Sequence, residues 1–366
     1  MPKSDVVKLK EALVEKFDER TIMMASDMPR YPRYSTGSIS LDFALGVGGW
    51  PSDRLVEVFG AESCGKTTLG LLSMSNFLDA QPKRCALILD TEHKMDLDWL
   101  GRLVGEDRMR NRVIYVQPDD IEQAIEAYKE AVGSGIVCFT LFDSIASSTT
   151  RKSIQSDKDE MTGNSKSMAR FAPIMGAFSA KYQCCTFAVN QTREDIAGYH
   201  RIITPGGRAP KHAAALRVYL KPGKGEVTEE IDGEKMRIGY VVAAKVVKNQ
   251  VGGIEGRTCQ YWFFNVHTDK WGFGVDTVEE ISRLAMITGV IERKGGWYYH
   301  EALPGGKVQG ADQFAAFVKA NEPVRKQLTA TIMARLKEHA AEVAPISNPE
   351  ALEEEPAVAP LFRQEF

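Results

Sequence analysis

The sequence contains no apolar run that approaches the roughly 18 residues a helix needs to cross a bilayer. It also lacks the pattern of a signal peptide, because charged residues stand near Met1 where such a peptide carries its apolar region. We therefore expect a cytoplasmic protein with no membrane partner.

An excess of one charge is also absent, because 46 basic residues face 49 acidic ones. Any contact with nucleic acid must therefore come from local basic loops. The six cysteines show no metal-ligand spacing and lie mostly in apolar, strand-like runs, which predicts buried thiols in a reducing compartment. At 366 residues, the chain has room for one large domain and a smaller one.

What the sequence does contain is a complete phosphate-binding P-loop between an apolar strand, Leu55 to Phe59, and a helix that starts by Leu69. In such a loop, glycines let successive backbone N–H groups converge on phosphates, Lys66 reaches the β and γ oxygens, and the Thr67 hydroxyl ligates Mg²⁺. The dipole of the following helix adds to the attraction. The predicted nucleotide-binding residues of the loop are Gly60, Glu62, Ser63, Cys64, Gly65, Lys66, Thr67 and Thr68.

Around the P-loop, apolar strands alternate with helical stretches, which predicts an α/β fold with a mostly parallel sheet covered on both faces. The predicted strands are Leu55 to Phe59, Cys85 to Asp90, Val113 to Gln117, Val137 to Asp143 and Cys184 to Gln191. From Leu216 to Val266 the pattern becomes strands joined by polar turns, so the sheet is expected to finish antiparallel, with Asp232-Gly233 as a hairpin turn.

Three polar side chains at the ends of predicted strands are candidates for chemistry beside the phosphates. Asp143 is expected to hold Mg²⁺, the alternative being a helix N-cap. Glu92 is the candidate base that activates water, the alternative being a solvated loop carboxylate. Gln191 either donates to the γ-phosphate or only caps its strand.

Several further motifs, in order along almost the whole chain, resemble the bacterial-type RecA recombinases, including phage relatives of the UvsX kind. The motifs are Ser35 to Asp42, Ala44 to Gly49, Gly60 to Thr68, Asp90 to His93, Asp143-Ser144, Val189 to Arg193, Gly206-Gly207, Lys245 to Asn249 and Gly295 to Tyr298. The resemblance implies a RecA-type P-loop NTPase core that binds ATP and Mg²⁺, in a bacterial cell or a phage-infected host.

The resemblance also assigns roles to single positions. Glu92 would be the general base, and Gln191 would sense the γ-phosphate and signal to the loop that follows. Asp96 and Trp99 would belong to the nucleotide site, with the indole stacked on adenine. Lys248 would reach the phosphates of a neighbouring protomer. The family's second such lysine is replaced by Gln250, and its aromatic interface residue by His212.

Two loops, at about 150–170 and 192–211, would carry DNA through phosphate contacts without sequence preference. Solvated surface loops are the alternative. The predicted DNA-binding residues are Arg151, Lys152, Lys166, Arg170, Arg193, Arg201, Gly206, Gly207, Arg208 and Lys211.

The expected organisation is an N-terminal helix and polymerisation linker (1–34), an ATPase core (35–268), a small α/β domain (269–340) and a disordered acidic tail (341–366). The resemblance predicts a DNA-dependent ATPase that forms helical filaments on single-stranded DNA and exchanges strands with a homologous duplex. Single-strand-binding or mediator proteins are expected partners. The alternatives are a hexameric helicase with the same core, or a filament scaffold switched by ATP.

Overall fold

The protein is described from a computed structural model, which covers residues 5–17, 22–147, 161–194, 202–231, 233–268 and 270–342. Its contacts divide the chain into two compact units, Met1–Pro32 and Arg33–Phe366. Residues 343–366 of the predicted acidic tail lie outside the described residues. The finer division into core and C-terminal domain stays a prediction.

The helices and strands are named in chain order. The helices are α1 Asp5–Phe17, α2 Ile39–Leu45, α3 Lys66–Ala80, α4 Leu97–Val104, α5 Glu106–Arg112, α6 Ile121–Gly133, α7 Met161–Tyr182, α8 Ala209–Ala213, α9 Thr277–Ile287, α10 Ala311–Ala320 and α11 Glu322–Glu342. The strands are β1 Arg33–Tyr34, β2 Trp50–Pro51, β3 Leu55–Gly60, β4 Cys85–Asp90, β5 Val113–Val116, β6 Val137–Asp143, β7 Cys185–Gln191, β8 Arg193–Glu194, β9 Ile202–Ile203, β10 Leu216–Ile231, β11 Glu234–Asn249, β12 Thr258–Phe264, β13 Gly274–Val275, β14 Glu292–Lys294, β15 Trp297–Tyr299 and β16 Lys307–Gln309.

The first unit contains α1, which forms as its amphipathic pattern predicts. None of the residues of α1 is buried. Val6, Leu9 and Phe17, at helical spacing, are 58%, 61% and 53% exposed. The unit therefore presents a helix with an uncovered apolar stripe.

The second unit is built on a nine-stranded sheet in the order β13-β12-β11-β10-β3-β7-β6-β4-β5. From β10 to β5 all neighbouring strands are parallel, and from β10 to β13 they are antiparallel. Ile231 pairs with Glu234 across the predicted Asp232-Gly233 turn. The predicted α/β fold with a mostly parallel sheet and an antiparallel extension is thus confirmed.

Two hydrophobic clusters cover the two faces of the sheet. One contains Phe77 of α3 and Leu100 of α4, and the other contains Tyr128 of α6 and Phe171 of α7. Every residue of β6 is buried, which explains why the central strands read as continuous apolar runs. The parallel strands are held rigidly, and their carboxyl ends form one edge of the core.

A third cluster joins α9, α10 and α11 to the small sheet β14-β15-β16, where the rings of Tyr298 and Phe314 stack at 4.9 Å. The sequence pattern is helical from Asp312 to Leu336, and the structure has two helices there, with Asn321 between them. Pro323 lies in the first turn of the second helix, where its missing N–H costs nothing, and it could not have continued the first helix.

The described cysteines are all free thiols, buried except for the half-buried Cys85. Among the described residues, no three or more His, Cys, Asp or Glu side chains lie close enough together to hold a metal ion by themselves. Within the same residues, no helix combines the length and apolar character of a membrane span.

Candidate active site

The predicted catalytic groups meet at the carboxyl edge of four adjacent parallel strands. The pairing aligns Gly60 at the end of β3 with Gln191 at the end of β7, and Asp90 at the end of β4 with Asp143 at the end of β6. In open parallel sheets this edge is where ligands bind. The fold therefore brings the P-loop and the candidate polar groups into one site.

The P-loop is shaped by close backbone approach at its start and by a left-handed residue at its end. A Cβ at Gly60 would lie 2.1 Å from the carbonyl oxygen of Leu220, so only glycine fits there. Gly65, with φ 86°, is the N-cap of α3, which explains why the helix begins at Lys66 and not later. Lys66 Nζ donates to the carbonyl oxygens of Gly60 at 3.2 Å and Ala61 at 2.5 Å.

The two predicted Mg²⁺ ligands are in direct contact, because the Thr67 hydroxyl donates to Asp143 Oδ2. Burial raises the pKa of Asp143 to about 6, against the effect of the Thr67 hydrogen bond, and the nearby carboxylates of Glu92 and Asp90 add to the rise. A hydroxyl and a buried carboxylate placed together suit Mg²⁺, which takes few protein oxygens and completes its shell with phosphates and water.

Glu92 is held by three side-chain donors on one oxygen. Its Oε1 accepts from Ser144 Oγ at 2.7 Å, Ser147 Oγ at 3.0 Å and Gln191 Nε2 at 3.0 Å. Burial alone would raise the pKa of Glu92, but these hydrogen bonds together with Lys94 lower it. The carboxylate is therefore ionised and fixed in direction, unlike a freely solvated loop residue.

Asp90 builds the turn that carries Glu92, a role that the sequence reasoning missed. Its Oδ1 accepts from the backbone N–H groups of Glu92 at 3.0 Å and His93 at 2.8 Å, and its Oδ2 from those of Lys94 and Met95 at 3.1 Å each. The signal available in the sequence was an acidic residue ending a buried strand just before the candidate base.

Gln191 donates hydrogen bonds from both its side chain and its backbone. Its side chain donates to Glu92, and its backbone N–H donates to Asn190 Oδ1 at 3.0 Å. The next residue, Thr192, donates its N–H to the Gly60 carbonyl at 3.2 Å. The start of the second predicted loop is thus tied to both the P-loop and Glu92.

Asp96 and Trp99 lie beside each other at the start of α4. Asp96 is the N-cap, accepting from the Trp99 N–H at 2.7 Å. The Trp99 indole makes edge contacts with Phe263 and Phe273, at 6.0 and 5.6 Å between ring centres. These contacts are the core-packing alternative, and the predicted contact with adenine stays a prediction.

Lys248 does not reach the P-loop of its own chain. Lys248 lies in β11, opposite Arg217 in the strand register, and β10 separates β11 from β3. The Nζ of Lys248 donates to the carbonyl oxygens of Lys211 at 2.9 Å and His212 at 3.1 Å. Burial lowers the pKa of Lys248, and the Arg217 charge lowers it further. This position is compatible with a contact to another protomer.

The structure describes only part of the predicted DNA loops. Arg151, Lys152 and Arg201 lie outside the described residues, and Arg193 is in the short strand β8, paired with β9. Lys166 and Arg170 are exposed on the first half of α7.

The described end of the second loop packs on the start of α7. A Cβ at Gly206, where φ is 86°, would lie 2.8 Å from Ile145 Cγ2, and one at Gly207 would lie 3.7 Å from Ser165. Arg208 is exposed and is the N-cap of α8. The two predicted loops are therefore adjacent where the structure describes them.

Lys211, half-buried, lines a cavity of about 1820 Å³ on the antiparallel extension. Lys221, Lys224 and Lys245 line the same cavity. Sequence reasoning did not single out Lys221 and Lys224, and it placed Lys245 only in a motif, because these lysines are spaced along two long strands that come together only when the strands pair.

Residues 7–256 match the family model described as the RecA N-terminal domain. The chain belongs to the RecA family. It is 32% identical to protein RecA of Thermotoga maritima over 337 residues, which cover 89% of this chain and 90% of that protein. It is 31% identical to protein RecA of Chloroherpeton thalassium (88% and 87% covered) and 33% identical to that of Brucella canis (81% and 78%). The chain is therefore a recombinase, the class of protein that assembles on DNA and exchanges strands.

Proposed function

We propose that this recombinase binds ATP with Mg²⁺ at Gly60 to Thr68 and hydrolyses it when single-stranded DNA is bound. The observation that carries the proposal is the placement of Glu92, fixed by three donors at the strand edge that also holds the Thr67–Asp143 pair. A P-loop alone would support binding, whereas a held carboxylate beside it supports hydrolysis.

The P-loop would hold the triphosphate through its backbone N–H groups and Lys66. When ATP binds, the Lys66 ammonium would leave the neutral carbonyl oxygens of Gly60 and Ala61 and bond to charged phosphate oxygens. Thr67 and Asp143 would hold Mg²⁺, whose contribution is to neutralise charge on the β and γ oxygens.

Glu92 would act as the general base that orients a water and takes its proton. Because its pKa is lowered, Glu92 is ionised at neutral pH. Because Ser144, Ser147 and Gln191 all bond to Oε1, the other oxygen, Oε2, would be the atom that contacts the water. A base of low pKa drives proton transfer weakly, so its main contribution is orientation. Lys94 Nζ lies 3.5 Å from Oε2 and is 75% exposed, so it can move aside.

Assembly would use α1 of the first unit and Lys248 of the second unit. The uncovered apolar stripe of α1 suits packing on an adjacent protomer, since a lone amphipathic helix gains stability only by covering that stripe. Lys248, which does not reach its own P-loop, would contact the ATP of that neighbour, with no lysine at position 250 to assist.

The DNA-binding residues predicted above would contact the backbone of single-stranded and homologous duplex DNA. Gly206-Gly207 would be the point where the second loop packs against α7. Single-strand-binding or mediator proteins remain proposed partners.

Negative-stain electron microscopy tests the proposal. The protein is imaged with single-stranded DNA and Mg²⁺, with and without a slowly hydrolysed ATP analogue. We expect helical filaments along the DNA only when the analogue is present. Closed rings would support the helicase alternative, and no DNA-bound assembly would contradict the proposal.

A further inference from the structure

A buried hydrogen-bond network lies beside the candidate active site, and its side chains belong neither to the P-loop nor to the cluster around Glu92. Its members are Glu57 in β3, Asn190 in β7 and Arg217 in β10, which are neighbouring strands of the sheet. Glu57 is 1% exposed and Asn190 is fully buried. Burying a carboxylate and an amide here is costly unless both are fully bonded.

Arg217 compensates the Glu57 charge. Its Nε donates to Glu57 Oε2 at 2.5 Å, and its guanidinium lies over the Phe59 ring, 4.5 Å from the ring centre. The other oxygen of Glu57, Oε1, accepts from Asn190 Nδ2 at 2.9 Å. The ion pair therefore fixes the direction in which the Asn190 amide points.

Asn190 uses that orientation to bond to two points of the chain, one directly before the second predicted DNA loop (192–211) and one within that loop. Its Oδ1 accepts the backbone N–H of Gln191 at 3.0 Å, directly before the loop. Its Nδ2 also donates to the carbonyl oxygen of Pro205 at 3.1 Å, directly before Gly206-Gly207. One side chain thus joins the residue that contacts Glu92 to the segment that packs on α7.

We propose that Asn190, oriented by the Glu57–Arg217 ion pair, is a positioning residue that makes ATP hydrolysis respond to DNA. Displacement of the loop by bound DNA moves Pro205, the shift reaches Gln191 through one rigid side chain, and Gln191 changes the direction of the Glu92 carboxylate. The inference rests on the proposed function, because it concerns the coupling of that same hydrolysis to DNA.

The test is the DNA stimulation factor, the ratio of the ATPase rate at saturating single-stranded DNA to the rate without DNA. Asn190→Ala removes both loop contacts and leaves the Glu57–Arg217 pair intact. We expect the stimulation factor to fall at least tenfold, with the KM for ATP changed less than threefold. The matched control is Thr186→Ala in the same strand, since Thr186 is equally buried and its hydroxyl bonds to Tyr128 of α6 and Ser179 of α7.

A purely structural role for Asn190 would lower the rates with and without DNA equally and leave their ratio unchanged, and that outcome would overturn the inference. A ratio within twofold of that of Thr186→Ala would do the same. If the wild-type protein shows no DNA-stimulated hydrolysis, the proposed function fails first, and the two failures are therefore distinguishable.

A paired variant keeps the inference testable if Asn190→Ala does not fold. In Glu57→Gln/Asn190→Asp, the new carboxamide at position 57 can accept from Arg217 and donate to the new carboxylate at position 190. The buried hydrogen bond between positions 57 and 190 is thus restored, with donor and acceptor exchanged. The new carboxylate cannot donate to Pro205. We expect this variant to fold and still lose at least tenfold in stimulation, and full stimulation would overturn the role of the Pro205 contact.

Discussion

The side chain of Gln191 donates a hydrogen bond to the carboxylate of Glu92, with 3.0 Å between Nε2 and Oε1. The two residues are 99 positions apart and follow strands β7 and β4, which are separated by β6 in the sheet. The candidate base and the residue directly before the second predicted DNA loop are therefore joined by a hydrogen bond. Because of this contact, we propose that a change at either residue alters the direction of the other.

Replacing Glu92 tests the base directly. In Glu92→Gln, the carboxamide oxygen still accepts hydrogen bonds but cannot take a proton from water. We expect kcat for ATP hydrolysis to fall by about 10²- to 10⁴-fold, with ATP and DNA binding retained. Steady-state ATPase assays and fluorescent-nucleotide binding measure the two quantities.

Lys94→Ala is the control for that variant, because Lys94 contacts the same carboxylate from a 75% exposed position, and exposed ion pairs contribute little. We expect its kcat to stay within about threefold of the wild type. Wild-type turnover in Glu92→Gln would remove Glu92 as the base.

Replacing Lys66 tests the P-loop. Lys66→Ala removes the buried ammonium, and a lost charge-assisted hydrogen bond is worth about 1.5–3 kcal/mol, so ATP should bind about 10- to 100-fold more weakly. ATP-driven assembly on DNA should be lost at concentrations that saturate the wild type. Lys83→Ala, at an exposed lysine just beyond the other end of α3, is the control, and unimpaired filaments in Lys66→Ala would contradict the assigned role.

Sequence patterns predicted the framework of this fold well, because period and turn chemistry act locally. Cys85 to Asp90 and Val137 to Asp143 are strands with the predicted bounds, and β10 pairs with β11 from Ile231 and Glu234 onward, on either side of the predicted turn. The P-loop, Glu92, Asp143 and Gln191 were located at one edge because parallel strands place their carboxyl ends together. Several predicted bounds differ: β3, β5 and β7 each differ by one residue at one end. The helices differ at Lys66 and at Asn321, where a cap residue and a proline overrule periodicity.

Contacts between distant positions could not be read from the sequence. Glu57 and Asn190 are 133 residues apart, and nothing in the apolar run Leu55 to Phe59 shows that its one carboxylate is buried rather than solvated. The same holds for Trp99, whose contact with Phe263 and Phe273 requires that α4 pack on β12 and the segment before β13. Such contacts follow from tertiary packing, which single-sequence patterns do not specify.

The pH dependence of stability should report on Asp42. Burial raises its pKa from 3.8 to about 7, although hydrogen bonds from Ser35 and Thr36 act against the rise. Because the folded protein holds this proton more tightly than the unfolded chain, the contribution to stability is complete below about pH 4 and is lost as the pH rises through about 7.

Asp42→Asn mimics the protonated form and removes this titration. Relative to the variant, the wild type should lose unfolding free energy between pH 4 and pH 8, by about 4 kcal/mol at most. Urea unfolding at several pH values measures the difference, and Glu280, a neighbouring carboxylate, is present in both proteins. Parallel pH profiles would contradict the prediction.

Glu280 should be a strong determinant of folding stability, since it ties α9 to the start of α2. The side chain is fully buried, and its Oε1 accepts from Ser38 Oγ at 2.5 Å and from the Ser40 N–H at 3.0 Å. Its Oε2 accepts from the Ile39 N–H at 3.0 Å. These N–H groups belong to the first turn of α2, where a carboxylate also meets the positive end of the helix dipole.

Glu280→Ala leaves three donors buried without a partner, and each costs about 1–3 kcal/mol, so unfolding free energy should fall by at least about 3 kcal/mol. Glu280→Gln keeps one acceptor oxygen and should lie between this variant and the wild type. The control is Glu279→Ala, one position earlier, where the carboxylate pairs with Arg283 across one helical turn and is one-third exposed, so its loss should cost under about 1 kcal/mol. Equal destabilisation at positions 279 and 280 would contradict the prediction, because it would show that the buried bonds of Glu280 to α2 contribute no more than a partly exposed ion pair.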